Sequence, residues 1–319
     1  MSITDTLKKK LYSEMLRLRL IEEKIAAIYH QANEIKTPTH LYTGQEAVAV
    51  GVANAMLEND VVSASHRSHG MYIAKGGNLK AMMAELFGKA AGCSKGWGGS
   101  MHLIDVAKGV MGSSSILGGT IPHAVGCALA FQIKDQPNIA VAAFGDAAIE
   151  EGVFHESLNW ASLKKLPVIF VCENNLYSTS TPLKSRQPPV EIFKRAESYG
   201  MEGIQIDGND VVEVYEVASQ AIAKARKGDG PTLIEAMTYR WREHVGPNYD
   251  YDLGYRSKEE LEEWMSKCPL KKHVNVMSPE ENEALNEKYI EEIDEAIEYA
   301  RQCPFPSKEI LKNEILRSH

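Results

Sequence analysis

The chain of 319 residues has only five cysteines (Cys93, Cys127, Cys172, Cys268 and Cys303), an odd number with no Cys-x-x-Cys pair among them. A disulfide framework and a cysteine zinc site are therefore not expected. No apolar run approaches the roughly 18 uninterrupted residues of a membrane span, and the stretch from Met1 to Lys10 is polar and charged. Neither an anchor nor a secretory signal is visible, so a cytoplasmic location is expected. Excess basic charge is missing too. Lys and Arg number 35 against 43 Asp and Glu, a formal charge of −8, which argues against general affinity for nucleic acid or an anionic membrane. Familiar signatures are absent as well. No Gly-x-Gly-x-x-Gly follows a strand, Gly88-Lys89 is not part of a phosphate loop, and neither Gly-x-Ser-x-Gly nor His-Glu-x-x-His occurs. The common nicotinamide, kinase, esterase and zinc-protease readings fall away.

What remains is ordinary for a soluble globular chain: 44% hydrophobic and 24% charged, with a length that predicts two domains or one large one at roughly 150 residues each. There are no internal repeats. Leu7, Leu11, Met15, Leu18, Ile21, Ile25 and Ile28 recur at steps of three and four, the stripe of one long helix; a terminal helix of that length is expected to pack on another subunit. Further helices are predicted over 44–56, 79–87 and 210–226. Between 88 and 119 glycine and serine are dense, which reads as a long functional loop. The runs 139–144 and 166–172, and the stretch 231–236, are short and apolar, as strands buried on both faces are. Strand, helix and strand in alternation predict an α/β fold, a mainly parallel sheet covered by helices on both faces, with its ligand at the carboxyl ends of the strands. After Ser257 the pattern turns acidic, helical and amphipathic.

Gly145-Asp146 stands at the end of one central strand and Asn174-Asn175-Leu176-Tyr177 at the end of the next. Adjacent parallel strands lie about 4.8 Å apart, so both ends can face one ligand. A carboxylate and a neutral amide oxygen are hard donors of the kind magnesium takes, together with phosphate oxygens and water. A helix predicted to begin behind Asp146 would offer free amides to a diphosphate. Taken separately, Asp146 reads equally as a helix cap and Asn174-Asn175 as a turn.

The joint pattern Gly145-Asp146…Asn174-Asn175 resembles the thiamine diphosphate fingerprint of the transketolase superfamily. More closely, the chain from about Arg17 to Leu270 is similar to the alpha subunit of the decarboxylating first component of 2-oxo acid dehydrogenase complexes, in the pyruvate, branched-chain and acetoin group. The carriers include His40-Leu-Tyr-Thr-Gly-Gln-Glu46, His66-Arg-Ser-His-Gly70, Ala84-Glu-Leu-Phe-Gly-Lys89, Gly96-Trp-Gly-Gly-Ser-Met-His102, Leu166 to Asn175, Asp207-Gly-Asn-Asp210, Gly230 to Glu235 and Thr238-Tyr-Arg240. The resemblance implies that Asp146, Asn175 and the main-chain oxygen of Tyr177 hold magnesium. It places Arg67, with His66 beside it, and His244 near the cofactor phosphates and the entering substrate, His66 and His244 being the candidate catalytic groups. Ser115 and Leu117 fall where the aminopyrimidine ring is received; Gly145, Ala147 and Ala148 fall beside the diphosphate. His102 and His123 read as buried structural residues, and Cys172 as an inert core residue.

Three departures stand out. The family's Gly-Asp-Gly is Gly145-Asp146-Ala147; the serine that several relatives carry after the loop histidine is Val245, so phosphorylation there is excluded; and the loop 246–256 is long and acidic, which suggests an altered substrate or acceptor. The resemblance further implies three parts: a helical extension over 1–38, a diphosphate-binding domain over 39–256 and a second helical extension over 257–319. The family's activating glutamate lies in a second domain that two-chain members carry on a beta subunit. No such domain is visible after Ser257, so the expected assembly is two alpha and two beta chains, with a lipoyl transacylase as a possible further partner. Two other readings stay open: a thiamine diphosphate-dependent acyl or ketol transferase acting on a sugar in polysaccharide biosynthesis, and a non-catalytic scaffold.

Overall fold

A computed structural model describes residues 3–188 and 191–309; the last part of the expected C-terminal extension, 310–319, lies outside the described residues. In chain order the elements are α1 (Asp5–Ile28), α2 (Glu46–Ala55), β1 (Val61–Ala64), α3 (His69–Ala74), α4 (Leu79–Leu86), β2 (Val110–Ser113), α5 (Ile121–Ile133), β3 (Ala140–Gly145), α6 (Gly152–Lys164) and β4 (Val168–Asn174). There follow β5 (Tyr177–Ser178), β6 (Thr181–Pro182), α7 (Leu183–Arg186), β7 (Glu202–Asp207), α8 (Val211–Arg226), β8 (Thr232–Met237), α9 (Lys258–Ser266), α10 (Pro269–His273) and α11 (Pro279–Gln302). No described helix is long and apolar enough to cross a membrane.

Six strands form one sheet in the order β2-β1-β3-β4-β8-β7, and every pairing in it is parallel. Side chains alternate across it as the period of a strand requires. Val141, Ala143, Ile169 and Val171 enter one core with α1, α2, α4, α8 and α11. Ala142, Phe144, Phe170 and Cys172 enter the other with α5 and α6. Both faces of the sheet are thus covered, as the continuous apolar runs required.

The first helix departs from expectation in what covers it. Leu11, Met15, Leu18, Ile21 and Ile25 are completely buried within the chain, and α1 packs against α2 and α11. The returning C-terminal helix supplies the partner that a neighbouring subunit was expected to supply, and each of these side chains contributes about 1.5–3 kcal/mol by leaving water. Two further readings need correction. His123 is exposed, because α5 turns Ile121, Ala124, Val125 and Ala128 toward the sheet instead, and His102 is only partly buried. The glycine-rich stretch 88–119 is not all loop: it contains β2, which pairs with β1 in parallel.

Candidate active site

From β1 the chain crosses to β2 at the sheet edge, then returns to lay β3 on the other side of β1. The strand order reverses between β1 and β3, and beyond the carboxyl ends of strands at such a switch point open sheets leave a crevice. Here that crevice is a cleft with about 780 Å³ of empty volume. Ser65, His66 and Arg67 enter it directly after β1, Gly145, Asp146 and Ala147 at the end of β3, and Glu173, Asn175 and Tyr177 from the end of β4 and the turn after it. His40, Met101, Ser115, Leu117, Ser178, Thr179 and His244 complete the lining.

One wall offers oxygen. The β3–β4 register sets Gly145 opposite Glu173, which brings Asp146 and Asn175 to one end of the sheet. The Asn175 amide donates to Gln45 Oε1 at 3.0 Å, so its Oδ1 is turned the other way and takes only a long bond, 3.3 Å, from the Tyr177 amide. Leu176 is held at φ +71° between them, a left-handed conformation costly for leucine, of the kind that surrounding structure sustains at functional turns. The side-chain hydroxyl of Tyr177 is tied away to Glu260 at 2.8 Å. Asp146 is almost wholly buried. Burial pushes its carboxyl up while the Arg186 guanidinium, which donates to it and to Glu150, pulls the other way. A buried carboxylate of this kind needs a cation, and in this chain a guanidinium stands in that place.

The opposite wall offers nitrogen. The rings of His40, His66 and His244 lie 4.7, 4.9 and 5.2 Å apart, centre to centre. Burial, with the Arg67 charge beside it, pushes His66 down to about 4, His244 down to about 3 and His40 further still, so all three are neutral at physiological pH. Arg67 itself is buried; it donates to the carbonyl oxygens of Leu41 at 2.6 Å and His244 at 3.3 Å, and burial brings its guanidinium down to about 9. Glu173 lines the same cleft, and its charged form favours the Arg67 guanidinium. Burial holds its carboxyl up at about 7, and the Tyr42 hydroxyl donates to it.

The sequence matches the family described as "Dehydrogenase E1 component" over residues 13–309. The chain belongs to that family. It is 38% identical to the alpha subunit of acetoin:2,6-dichlorophenolindophenol oxidoreductase of Bacillus subtilis (strain 168), across 100% of this chain and 96% of the relative. It is 38% identical to a pyruvate dehydrogenase E1 component alpha subunit of Porphyra purpurea, across 95% of this chain and 90% of that one. With the corresponding subunit of Rickettsia bellii the identity is 36%, across 96% and 94%.

In this E1 component chain the cleft gathers Asp146, Asn175, Tyr177, His66, Arg67, His244, Gly145, Ala147, Ser115 and Leu117, all singled out from the sequence; Ala148 lies buried and does not line it. The predicted helix behind Asp146 is different in kind: Asp146–Glu150 is a tight 3-10 stretch, and α6 starts only at Gly152. Any anion beside Asp146 therefore meets turn amides and not the end of an α-helix. Gly145 leaves room for one, since a Cβ placed there would touch no atom within 4 Å. His40 and Glu173 were missed as site residues although both stand in quoted motifs; nothing local distinguishes them, because their entry into the cleft depends on distant partners. The acidic loop 246–256 also has a structural reason. Asp250 is fully buried and paired with Arg240 at 2.9 Å and with Arg256, so this carboxylate anchors the loop.

Proposed function

We propose that this chain is the alpha subunit of a thiamine diphosphate-dependent enzyme that decarboxylates a 2-oxo acid, or cleaves acetoin, and passes the acyl group to a lipoyl acceptor. The observation that supports this reading best is the gathering, in one cleft at the sheet's switch point, of the oxygen donors of Asp146, Asn175 and Tyr177 with the imidazole and guanidinium groups of His66, His244 and Arg67. Asp146, Asn175 Oδ1 and the Tyr177 carbonyl are the ligands for magnesium, a hard-oxygen set that suits it; Arg186 must then release Asp146. The amides of Ala147 and Ala148 serve the diphosphate from the turn. Arg67 and His244 stand across from them, and Ser115 and Leu117 receive the ring at the rim.

Thiamine diphosphate, when bound, supplies the electron sink for decarboxylation. The chain's own residues bind, orient and manage protons around it. Because His66 and His244 are held neutral, each can donate or accept a hydrogen bond without placing a second positive charge beside Arg67. Leu117 and Ile116, exposed at the rim, leave the mouth of the cleft to be closed by a beta subunit, which also brings the activating glutamate; two alpha and two beta chains make the assembly. A lipoyl transacylase is the acceptor's carrier.

The test uses the alpha chain reconstituted with its beta partner. Calorimetry should show thiamine diphosphate binding with magnesium present and none with a chelator; equal affinity in both would remove the metal assignment. Oxidation assays over a panel of 2-oxo acids and acetoin then identify the substrate, and failure of every member would overturn the activity.

A further inference from the structure

The three imidazoles of the nitrogen wall carry more than the proposed function uses. Each offers one ring nitrogen, and these atoms all lie within 4.8 Å of one another. His40 Nδ1 is buried with no hydrogen-bond partner. Among the described residues, none of the three rings is paired with a carboxylate, whereas His69 nearby is bound on both nitrogens. A buried ring nitrogen without a partner forfeits the solvation it had in water, and for His40 Nδ1 that cost is recovered only if something in the cluster accepts its lone pair.

We propose that His40, His66 and His244 form a binding site for a borderline divalent cation, zinc, distinct from the oxygen-donor metal position, and that a cation held there obstructs the cleft. Zinc takes imidazole nitrogen at about 2.0–2.1 Å, and three protein ligands with a fourth position for water is a familiar tetrahedral arrangement. Nitrogens on one tetrahedral ion stand roughly 3.3 Å apart by that bond length, so the present spread must close by about an ångström or more. His40 is fixed by burial, but His66 and His244 are only partly buried and can turn. Their neutral state leaves the lone pairs available. Arg67 opposes a cation, and its guanidinium is spent on the Leu41 and His244 carbonyls; Glu173 and Asp146, lining the same cleft, offset it. Magnesium prefers the other wall because it binds imidazole poorly and oxygen well. One cleft therefore sorts two cations by donor type. Metal binding needs only this chain; the obstruction rests on the function proposed above.

The experiment titrates cobalt(II), a coloured substitute for zinc, into the tag-free alpha chain at neutral pH. One equivalent should raise the visible bands of a tetrahedral site, equimolar zinc should bleach them, and excess magnesium should leave them unchanged. His66→Gln and His244→Gln, at partly buried positions, should each weaken cobalt binding at least about tenfold, the size found even for partners one shell further out. They decide the matter should His40→Gln fail to fold. Absent bands, or bands that survive both substitutions, overturn the site. In the reconstituted pair, zinc should inhibit turnover, with relief by a zinc-selective chelator while magnesium stays in excess. Histidine-dependent bands in a pair that turns over no 2-oxo acid or acetoin would uphold the metal site and remove the proposed function; turnover without bands would do the reverse.

Discussion

His66 and His69 stand three positions apart, yet they belong to opposite kinds of environment. His69 is fully buried, with Nδ1 at 2.7 Å from Glu22 and Nε2 at 2.8 Å from Ser100; Glu22 also accepts the Tyr42 amide, and Ser100 Oγ the His40 amide at 3.3 Å. Every polar atom of that ring is used. His66 lines the cleft, beside the rings of His40 and His244 and the charge of Arg67. The same contrast separates two aspartates. Asp250 is enclosed by Arg240 and Arg256, while Asp146 faces the cleft and meets Arg186, carried on the short α7. A polar group with a full set of partners holds the fold; His66, and Asp146 with its one guanidinium partner, keep unsaturated capacity for a ligand. Buried groups bear this out energetically, because breaking a complete network leaves a desolvated partner behind.

The largest expected effect falls on the unsaturated side. Asp146→Ala should abolish detectable thiamine diphosphate binding by the reconstituted pair; it also strips Arg186 of one carboxylate while leaving it Glu150, and should cost about 1–3 kcal/mol of unfolding free energy. Binding that persists in calorimetry would erase the distinction between the two aspartates. Asp250→Asn should do the opposite. It leaves two buried guanidinium groups uncompensated and should cost about 3–5 kcal/mol in denaturant unfolding. Glu22→Gln removes the charge that holds His69 and the Tyr42 amide, at about 1–3 kcal/mol, while cofactor affinity per folded molecule stays near that of the parent.

Asp210 is a half-exposed intermediate case. It caps α8 through the amides of Val212 and Glu213 and reaches Lys272 at 2.8 Å. Partial burial pushes its carboxyl up, but His273, Lys272 and the capping amide outweigh this and hold it well below the usual range. The stability it contributes is therefore complete above the ordinary carboxylate pKa of about 3.9 and is lost as pH falls through the depressed value. Asp210→Ala should cost about 1 kcal/mol near neutrality, and thermal melts at decreasing pH should show the gap to the parent closing only below about pH 4. A gap that closes near pH 6 would mean the carboxylate is not held down.

Much of the framework was legible because its causes are local. The apolar run through Val141 and Phe144, the one through Ile169 and Val171, and the α8 stripe at Val214, Ala218 and Ala221 announce buried strands and an amphipathic helix directly. Three strands of the six-stranded sheet were not legible. Val61–Ala64 is only four residues long, Val110–Ser113 lies among glycines, and Glu202–Asp207 is polar at alternate positions on the sheet edge. Each becomes a strand because a neighbouring strand offers hydrogen bonds, and that is a long-range fact. The start of α6 was misjudged because Glu151 takes an extended conformation, ψ 136°, which separates the tight turn Asp146–Glu150 from the helix that starts at Gly152.

From residue types and their order alone followed the α/β class, the family resemblance with the roles it implies for Arg67 and His244, and the placing of Asp146 and Asn175 at strand ends, because strand ends and turn residues depend on neighbours in the chain. Tertiary structure alone decided that His40 joins His66 and His244, that His69 does not, that Glu173 sits near neutrality under Arg67, and that Arg186 occupies Asp146. Those outcomes depend on desolvation and on distances through space, which spacing along the chain does not encode.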